Sequence, residues 1–240
     1  MLHKTRGIVF KTTDYSESSV IVQVFTEKFG VQSYLINGVK KPKAKIKQQM
    51  LQPLHLLEMV VYHKLSGNIQ RVSEIRNVPS FQTIPYSIIK SSIALFLTEV
   101  LYKSVRQQTP DEQLFDFVFH AVALLDRTEQ GLGLFHIFFL MQLTKYLGFY
   151  PDTSRAGDAY FDLKEGTFTA VLPLHPFVLQ GEEAVNWAAM LKAKFENLPQ
   201  LKISAASRRI LLGSLLQYYQ LHIESFKEIK SHQILEEVLD

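Results

Sequence analysis

Five lysines, Lys40, Lys41, Lys43, Lys45 and Lys47, fall within eight consecutive residues that contain no acid. An ammonium is a strongly hydrated point charge on a flexible stem, suited to contacting phosphate oxygens without reading sequence. The chemistry this pattern offers is reversible neutralisation of a polyanion; a solvated loop without a ligand is the plainer alternative. Gly38 and Pro42 interrupt both helix and strand here, so the lysines belong to a loop between two alternating segments.

No pattern for covalent chemistry accompanies them. The eight histidines include no His-x-x-x-His pair and no His-Glu-x-x-His motif. Gly131-Leu132-Gly133 opens a helical pattern without the third glycine or preceding strand of a nucleotide loop, and no Gly-x-Ser-x-Gly occurs. His120 and His136 sit among apolar helical residues, and both are expected to be hydrogen-bonded core histidines. No catalytic residue, metal ligand or cofactor is expected. The absence of cysteine excludes disulfides and thiolate zinc sites, and fits a reducing cytoplasm.

The 240 residues suffice for one large domain or two ordinary ones, and 47% hydrophobic with 20% charged residues describes a globular chain. The N-terminus runs straight into an alternating strand without an apolar h-region, so no signal peptide is expected. Apolar runs such as Ile137–Met141 are too short to span a bilayer. The net charge of +3 is unevenly placed: residues 1–80 hold 12 Lys and Arg against 5 Asp and Glu, leaving a mildly acidic remainder. The basic first third is the part expected to meet an anion.

Alternation and turn residues predict five strands in that third: Thr5–Lys11, Ser19–Thr26, Val31–Val39, Leu54–Lys64 and Ile69–Val78, the last two joined at Ser66-Gly67-Asn68. Glu27-Lys28-Phe29-Gly30 reads as a tight turn with Gly30 at positive φ. Five short strands suit a small barrel, either an OB-fold or an SH3-like one. Pro79 and Pro85 mark a change to helical periodicity. Helices are expected from Ser87 through Leu101, after Pro110 with Thr109 as N-cap, over Leu132–Leu147, over Glu182–Phe195 and from Ser204 or Ser207 through His222, with a short amphipathic tail Ile234–Leu239. Between them, Tyr160–Leu163 and Thr167–Val171 flank Lys164-Glu165-Gly166 as a hairpin. The fold class expected is α+β: a β-barrel domain at 1–80 and a helical domain at 81–240, with a non-helical hairpin segment at about 152–178.

The wording of the N-terminal third then narrows the reading. The stretch Gly7-Ile8-Val9-Phe10-Lys11-Thr12-Thr13-Asp14-Tyr15-Ser16-Glu17-Ser18-Ser19, followed by Phe25-Thr26-Glu27-Lys28-Phe29-Gly30 and Asn37-Gly38-Val39-Lys40-Lys41-Pro42-Lys43, resembles the RecO family of bacterial recombination mediators. The family pattern is a strand, a Y-x-E-x-S turn, a strand ending F-T-x-x-x-G, and a G-x-[RK]-[RK] loop. Tyr146-Leu147-Gly148-Phe149-Tyr150-Pro151-Asp152 and the helix from Ser204 to His222 resemble later family segments.

The resemblance implies an N-terminal OB-fold on a helical domain, binding of single- and double-stranded DNA, and annealing of complementary strands. It also implies work with RecR and the single-strand-binding protein SSB to load RecA in the RecF pathway of DNA repair, in the bacterial cytoplasm at the nucleoid and without a membrane. The family's DNA contacts carry over onto Lys40, Lys41, Lys43, Lys45 and Lys47, with Arg6, Lys11, Arg71 and Arg76 as additions. Tyr15 and Tyr34 are candidates for base stacking. An apolar pocket for the SSB C-terminal tail is expected on the helices at 111–126 and 132–148, rimmed by Arg127 and Lys145. Many relatives carry a four-cysteine zinc site after the G-F-x-P-D segment; residues 155–180 here have none, so zinc is expected to be absent. Without the resemblance, an adaptor stays open, with the β domain on a protein partner and the basic loop on RNA or an acidic surface, as does an enzyme with an unrecognised site.

Overall fold

The computed structural model describes residues 1–64 and 67–239. The chain forms two compact units, Met1–Arg127 and Thr128–Asp240.

The first unit is built on a closed five-stranded barrel of order β1-β2-β3-β5-β4, the OB-fold arrangement. Its strands are β1 (Leu2–Asp14), β2 (Val20–Thr26), β3 (Gly30–Ile36), β4 (Leu56–Tyr62) and β5 (Gln70–Asn77). One long strand makes the closure. Leu2–Ile8 of β1 pairs with β4, and Gly7–Asp14 pairs with β2 across a register shift between Val9 and Lys11. Such an irregularity bends a strand so that it can serve two partners. The β3–β5 seam is the weak point, two parallel pairs only, Tyr34–Gln70 and Leu35–Arg71. Of the expected β4–β5 turn, Ser66 lies outside the described residues.

Period-two alternation puts Val20, Val22, Val24, Tyr34, Ile36, Leu57, Met59 and Val61 inside the barrel. Tyr34 is thus wholly buried on the inward face with Ile36, so of the two roles open to it, base stacking and packing, the structure gives it packing. Burial pushes its phenol well above the usual tyrosine range.

Two helices complete this unit, α1 (Ile88–Ser104) and α2 (Glu112–Arg127). Ser87 caps α1. The cap of α2 is Asp111 rather than Thr109: its carboxylate accepts from Leu114 N at 2.9 Å. An aspartate directly before the first helical residue reaches the third helical N–H and favours the N-terminal dipole. His120 on α2 is exposed, its Nδ1 2.7 Å from Asp116 O, so the core-histidine expectation fails there.

The proline-marked segment before α1 is tied down by Asp126. Its carboxylate accepts from Gln82 N (2.8 Å), Thr83 N (2.9 Å) and Ile84 N (2.9 Å). Buried Lys90 completes the knot, donating to Thr83 Oγ1 at 2.6 Å and to Asp126 O at 2.9 Å. Burial pushes the Asp126 carboxyl up, but the backbone donors outweigh it and hold it below the usual carboxylate range. Asp126→Ala leaves three donors without their partner and is expected to cost about 2–4 kcal/mol at pH 7. Because the folded-state value is the lower one, the contribution is present above the unfolded value of about 3.9 and is lost as pH falls through the folded one. Urea titrations of both proteins check this: the gap between them should narrow below about pH 4, and a constant gap contradicts it.

In the second unit, α3 (Leu132–Leu147) is buried on nearly all sides and stops at Gly148, whose φ is +86°. His136 on α3 is the buried histidine expected from the sequence; burial, with Arg208 nearby, holds it down to about 3. The hairpin strands β6 (Tyr160–Asp162) and β7 (Thr167–Thr169) are joined by β8 (Val178–Gln180), absent from the sequence reading, in the order β7-β6-β8. Helix α4 (Glu182–Lys192) ends short of Phe195, and a separate 3-10 turn spans Phe195–Gln200. Helix α5 (Ala205–His222) is capped by Ser204, which accepts from Ser207 N at 3.1 Å, and α6 (Ser231–Leu239) closes the unit.

Candidate nucleic-acid interface

The lysine loop runs from the end of β3 to the start of β4 and is fastened to the barrel along its length. Gly38, at φ +74°, begins it. Two successive turns follow, Lys41 N donating to Gly38 O at 3.1 Å and Ala44 N to Lys41 O at 3.0 Å. Val39 and Leu51 are buried in the barrel core, and Ile46 and Met50 pack against it. Thr12 Oγ1 donates to Leu51 O at 2.7 Å and Asn77 Nδ2 to Met50 O at 3.0 Å. The loop thus alternates apolar anchors with ammonium groups. Its charges are held in place by the core beneath, which lowers the ordering cost of binding a polyanion. The lysines stand out in the sequence and the anchors do not; Val39, just before Lys40, and Ile46, between Lys45 and Lys47, are the signal that finds the latter.

Lys41, Lys43, Lys45 and Lys47 are exposed, and among the described residues none forms an ion pair. Lys40 is paired, its Nζ 2.9 Å from Asp14 Oδ1. Lys45 and Arg71 line one groove of about 350 Å³ between the loop and β5, with Leu35, Asn37, Gly38 and Ser73.

The other expected cations lie elsewhere. Arg6 donates to Glu27 through Nε (3.1 Å) and Nη2 (2.9 Å) and to Asp116 at 2.7 Å, with its guanidinium 5.1 Å and 5.0 Å from the Phe115 and Phe119 ring centres. The hydrogen bond to Glu27 leads in raising its pKa further above the ordinary arginine value. This residue fastens β1 to α2. Arg76 and Arg6 line a separate recess of about 560 Å³ in which Lys4 and Lys28 face Glu27, Glu58 and Glu74, a mixed-charge surface. The Lys11 ammonium lies 5.1 Å from the Tyr102 ring centre. Tyr15 is 62% exposed in the turn after β1. Arg127 is the exposed last residue of α2 in the first unit. Lys145, in the last turn of α3 in the second, donates to Gln142 Oε1 at 2.7 Å and lies 4.6 Å from the Tyr150 ring centre.

The segment at residues 155–180 does not offer the donors of a thiolate zinc site. It has no cysteine, and among the described residues no three His, Cys, Asp or Glu side chains gather as a metal site. Asp162 Oδ1 instead accepts from Lys164 N (2.9 Å) and Glu165 N (3.1 Å), and its Oδ2 is 3.2 Å from His175 Nε2. Asp152 accepts from Ser154. Behind the hairpin, Phe161 packs on Phe168 at 4.8 Å and Trp187 at 4.9 Å, and all three are buried. Aromatic burial of this kind is enough to organise a small sheet.

Among the described residues no helix is long and apolar enough to cross a membrane. Comparison with known proteins agrees with the barrel and the helices that follow it. Residues 1–81 match the family model described as recombination protein O N terminal, and residues 85–232 the one described as recombination protein O C terminal. Relatives named DNA repair protein RecO include those of Bacteroides fragilis, 35% identical over the whole of both chains, and Flavobacterium johnsoniae, 37% identical over 98% of each. That of Porphyromonas gingivalis is 30% identical over the whole of both. The matches span barrel and helical segments alike, and the chain belongs to the RecO family of DNA repair proteins.

Proposed function

We propose that this protein is a non-catalytic recombination mediator of the bacterial cytoplasm and nucleoid. It binds single- and double-stranded DNA, anneals complementary strands and, with RecR and the C-terminal tail of SSB, helps load RecA. The observation that carries the reading is the row of unpaired, exposed ammonium groups on a loop anchored in an OB-fold barrel. Lys41, Lys43, Lys45, Lys47 and Arg71 make the phosphate contacts; Lys40, Arg6 and Lys11, engaged within the protein, and Arg76, on the wall of the mixed-charge recess, add to the field at longer range. Annealing then needs no cofactor: a cationic surface screens two polyanions from one another, and base pairing supplies the free energy. A division near residue 80, in keeping with family models that cover residues 1–81 and 85–232, separates the DNA-holding barrel from the helices that follow it.

The test is annealing of complementary strands coated with SSB, followed by fluorescence without nucleotide. The protein is expected to accelerate pairing severalfold. Pairing at the spontaneous rate, or only with added nucleotide, contradicts the reading.

A further inference from the structure

Around one end of the barrel the strand registers form a continuous row: Thr13 opposite Ile21, Ile21 opposite Leu35, Leu35 opposite Arg71, Arg71 opposite Tyr62, and Tyr62 opposite Leu2. Directly opposed residues share a face with Cβ atoms about 5 Å apart. The face here is the outer one. Arg71 is exposed, Tyr62 is 46% exposed and Leu2 51% exposed. Arg71 also lines the groove of Lys45. An exposed aromatic ring therefore stands next to the inner wall of the cationic groove, one strand away. Among the described residues, no hydrogen bond or ring contact engages the Tyr62 side chain. Glu74 of β5 stands opposite Val60 and not opposite Tyr62.

We propose that Tyr62 is a base-stacking platform for single-stranded nucleic acid whose phosphates run through the groove between Lys45 and Arg71. The inference rests on the DNA-binding reading above and adds to it a residue that separates single strands from duplexes. Phosphates are common to both forms, so the lysines hold either. Base faces are open only in the single strand, where stacking on an aromatic side chain is sequence-tolerant. In the duplex the same faces are covered by neighbouring base pairs, and Tyr62 has nothing to stack on. Charge complementarity selects a polyanion for this surface over an apolar peptide: the ring is flanked by Arg71 and, beyond it, by Lys45.

The experiment measures anisotropy of a labelled oligothymidine and of a labelled duplex of equal length, with wild-type protein, Tyr62→Ala, Tyr62→Phe and a variant with Lys41, Lys43, Lys45 and Lys47 replaced by glutamate. Circular dichroism melting confirms that each variant is folded. Tyr62→Ala is expected to weaken single-strand binding about 5–30-fold and duplex binding less than about twofold, whereas Tyr62→Phe keeps the wild-type values. Unchanged single-strand affinity in Tyr62→Ala, or equal losses on both forms, overturns the platform while the lysine variant still tests the loop. If wild-type protein binds neither form, the DNA-binding reading and the platform fall together.

Discussion

Exchanging Lys41, Lys43, Lys45 and Lys47 for glutamate is expected to weaken single-stranded DNA binding at least tenfold while the melting temperature barely moves. The two halves of this expectation have separate causes. The four ammonium groups are exposed and, among the described residues, outside any ion pair, so the fold draws almost nothing from their charge. The loop keeps its course because Val39, Ile46, Met50 and Leu51 stay anchored on the barrel core. Lys40 is left unchanged because its replacement also breaks the ion pair with Asp14. For binding, each lysine removed takes with it the release of a counterion from the DNA, and each glutamate adds repulsion. Anisotropy titration at fixed salt, beside a thermal melt, reads both halves. Retained affinity in a folded variant removes the loop from the interface; a collapsed melting temperature shows that the lysines carry the fold instead.

The second large effect is structural. Gly30→Ala is expected to destabilise the first unit by more than about 3 kcal/mol. Gly30 lies at φ +63°, a region that an L side chain enters at a cost of about 1–2 kcal/mol. It also faces backbone: an added Cβ lies 2.5 Å from Thr109 O and 2.6 Å from Gln107 O. These carbonyls cannot swing aside as a side-chain tip does, and Gln107 O already accepts from Val31 N at 2.9 Å. The β2–β3 turn is therefore pressed against the α1–α2 connection with space for hydrogen only. Gly30→Asn separates the two causes, since asparagine tolerates positive φ but carries the same Cβ. Chemical denaturation should show a comparable loss in both variants. A loss below about 1 kcal/mol in either contradicts the close approach, and a loss confined to alanine leaves only backbone strain.

Gly30 also illustrates what is legible in the sequence. The turn and its positive φ follow from Glu27-Lys28-Phe29-Gly30 alone, because turn chemistry is local. The same holds for the five strands and for α3 over Leu132–Leu147, carried by periodicity and punctuation within one element, whereas the sequence leaves Ser204 and Ser207 both open as the start of α5 and the structure selects Ser204. The carbonyls above Gly30 belong to residues far along the chain, and no local pattern announces them. Arg6 is the same case at the site: its partners Glu27 and Asp116 are 21 and 110 residues away. Sequence therefore groups it with the surface cations although it joins strand to helix. Three-residue β8 is too short to alternate recognisably. Exposed His120 and buried His136 have similar neighbours in sequence, and only the packing of their helices tells them apart.

Phosphate neutralisation by an anchored cationic loop is tested most directly by the salt dependence of oligothymidine affinity. Each phosphate neutralised on a single strand contributes a slope of about −0.7 in log K against log salt. The wild-type slope is predicted to be steep, and that of the four-glutamate variant shallower by about three units. A shallow wild-type slope, or one that the four substitutions leave unchanged, contradicts the account.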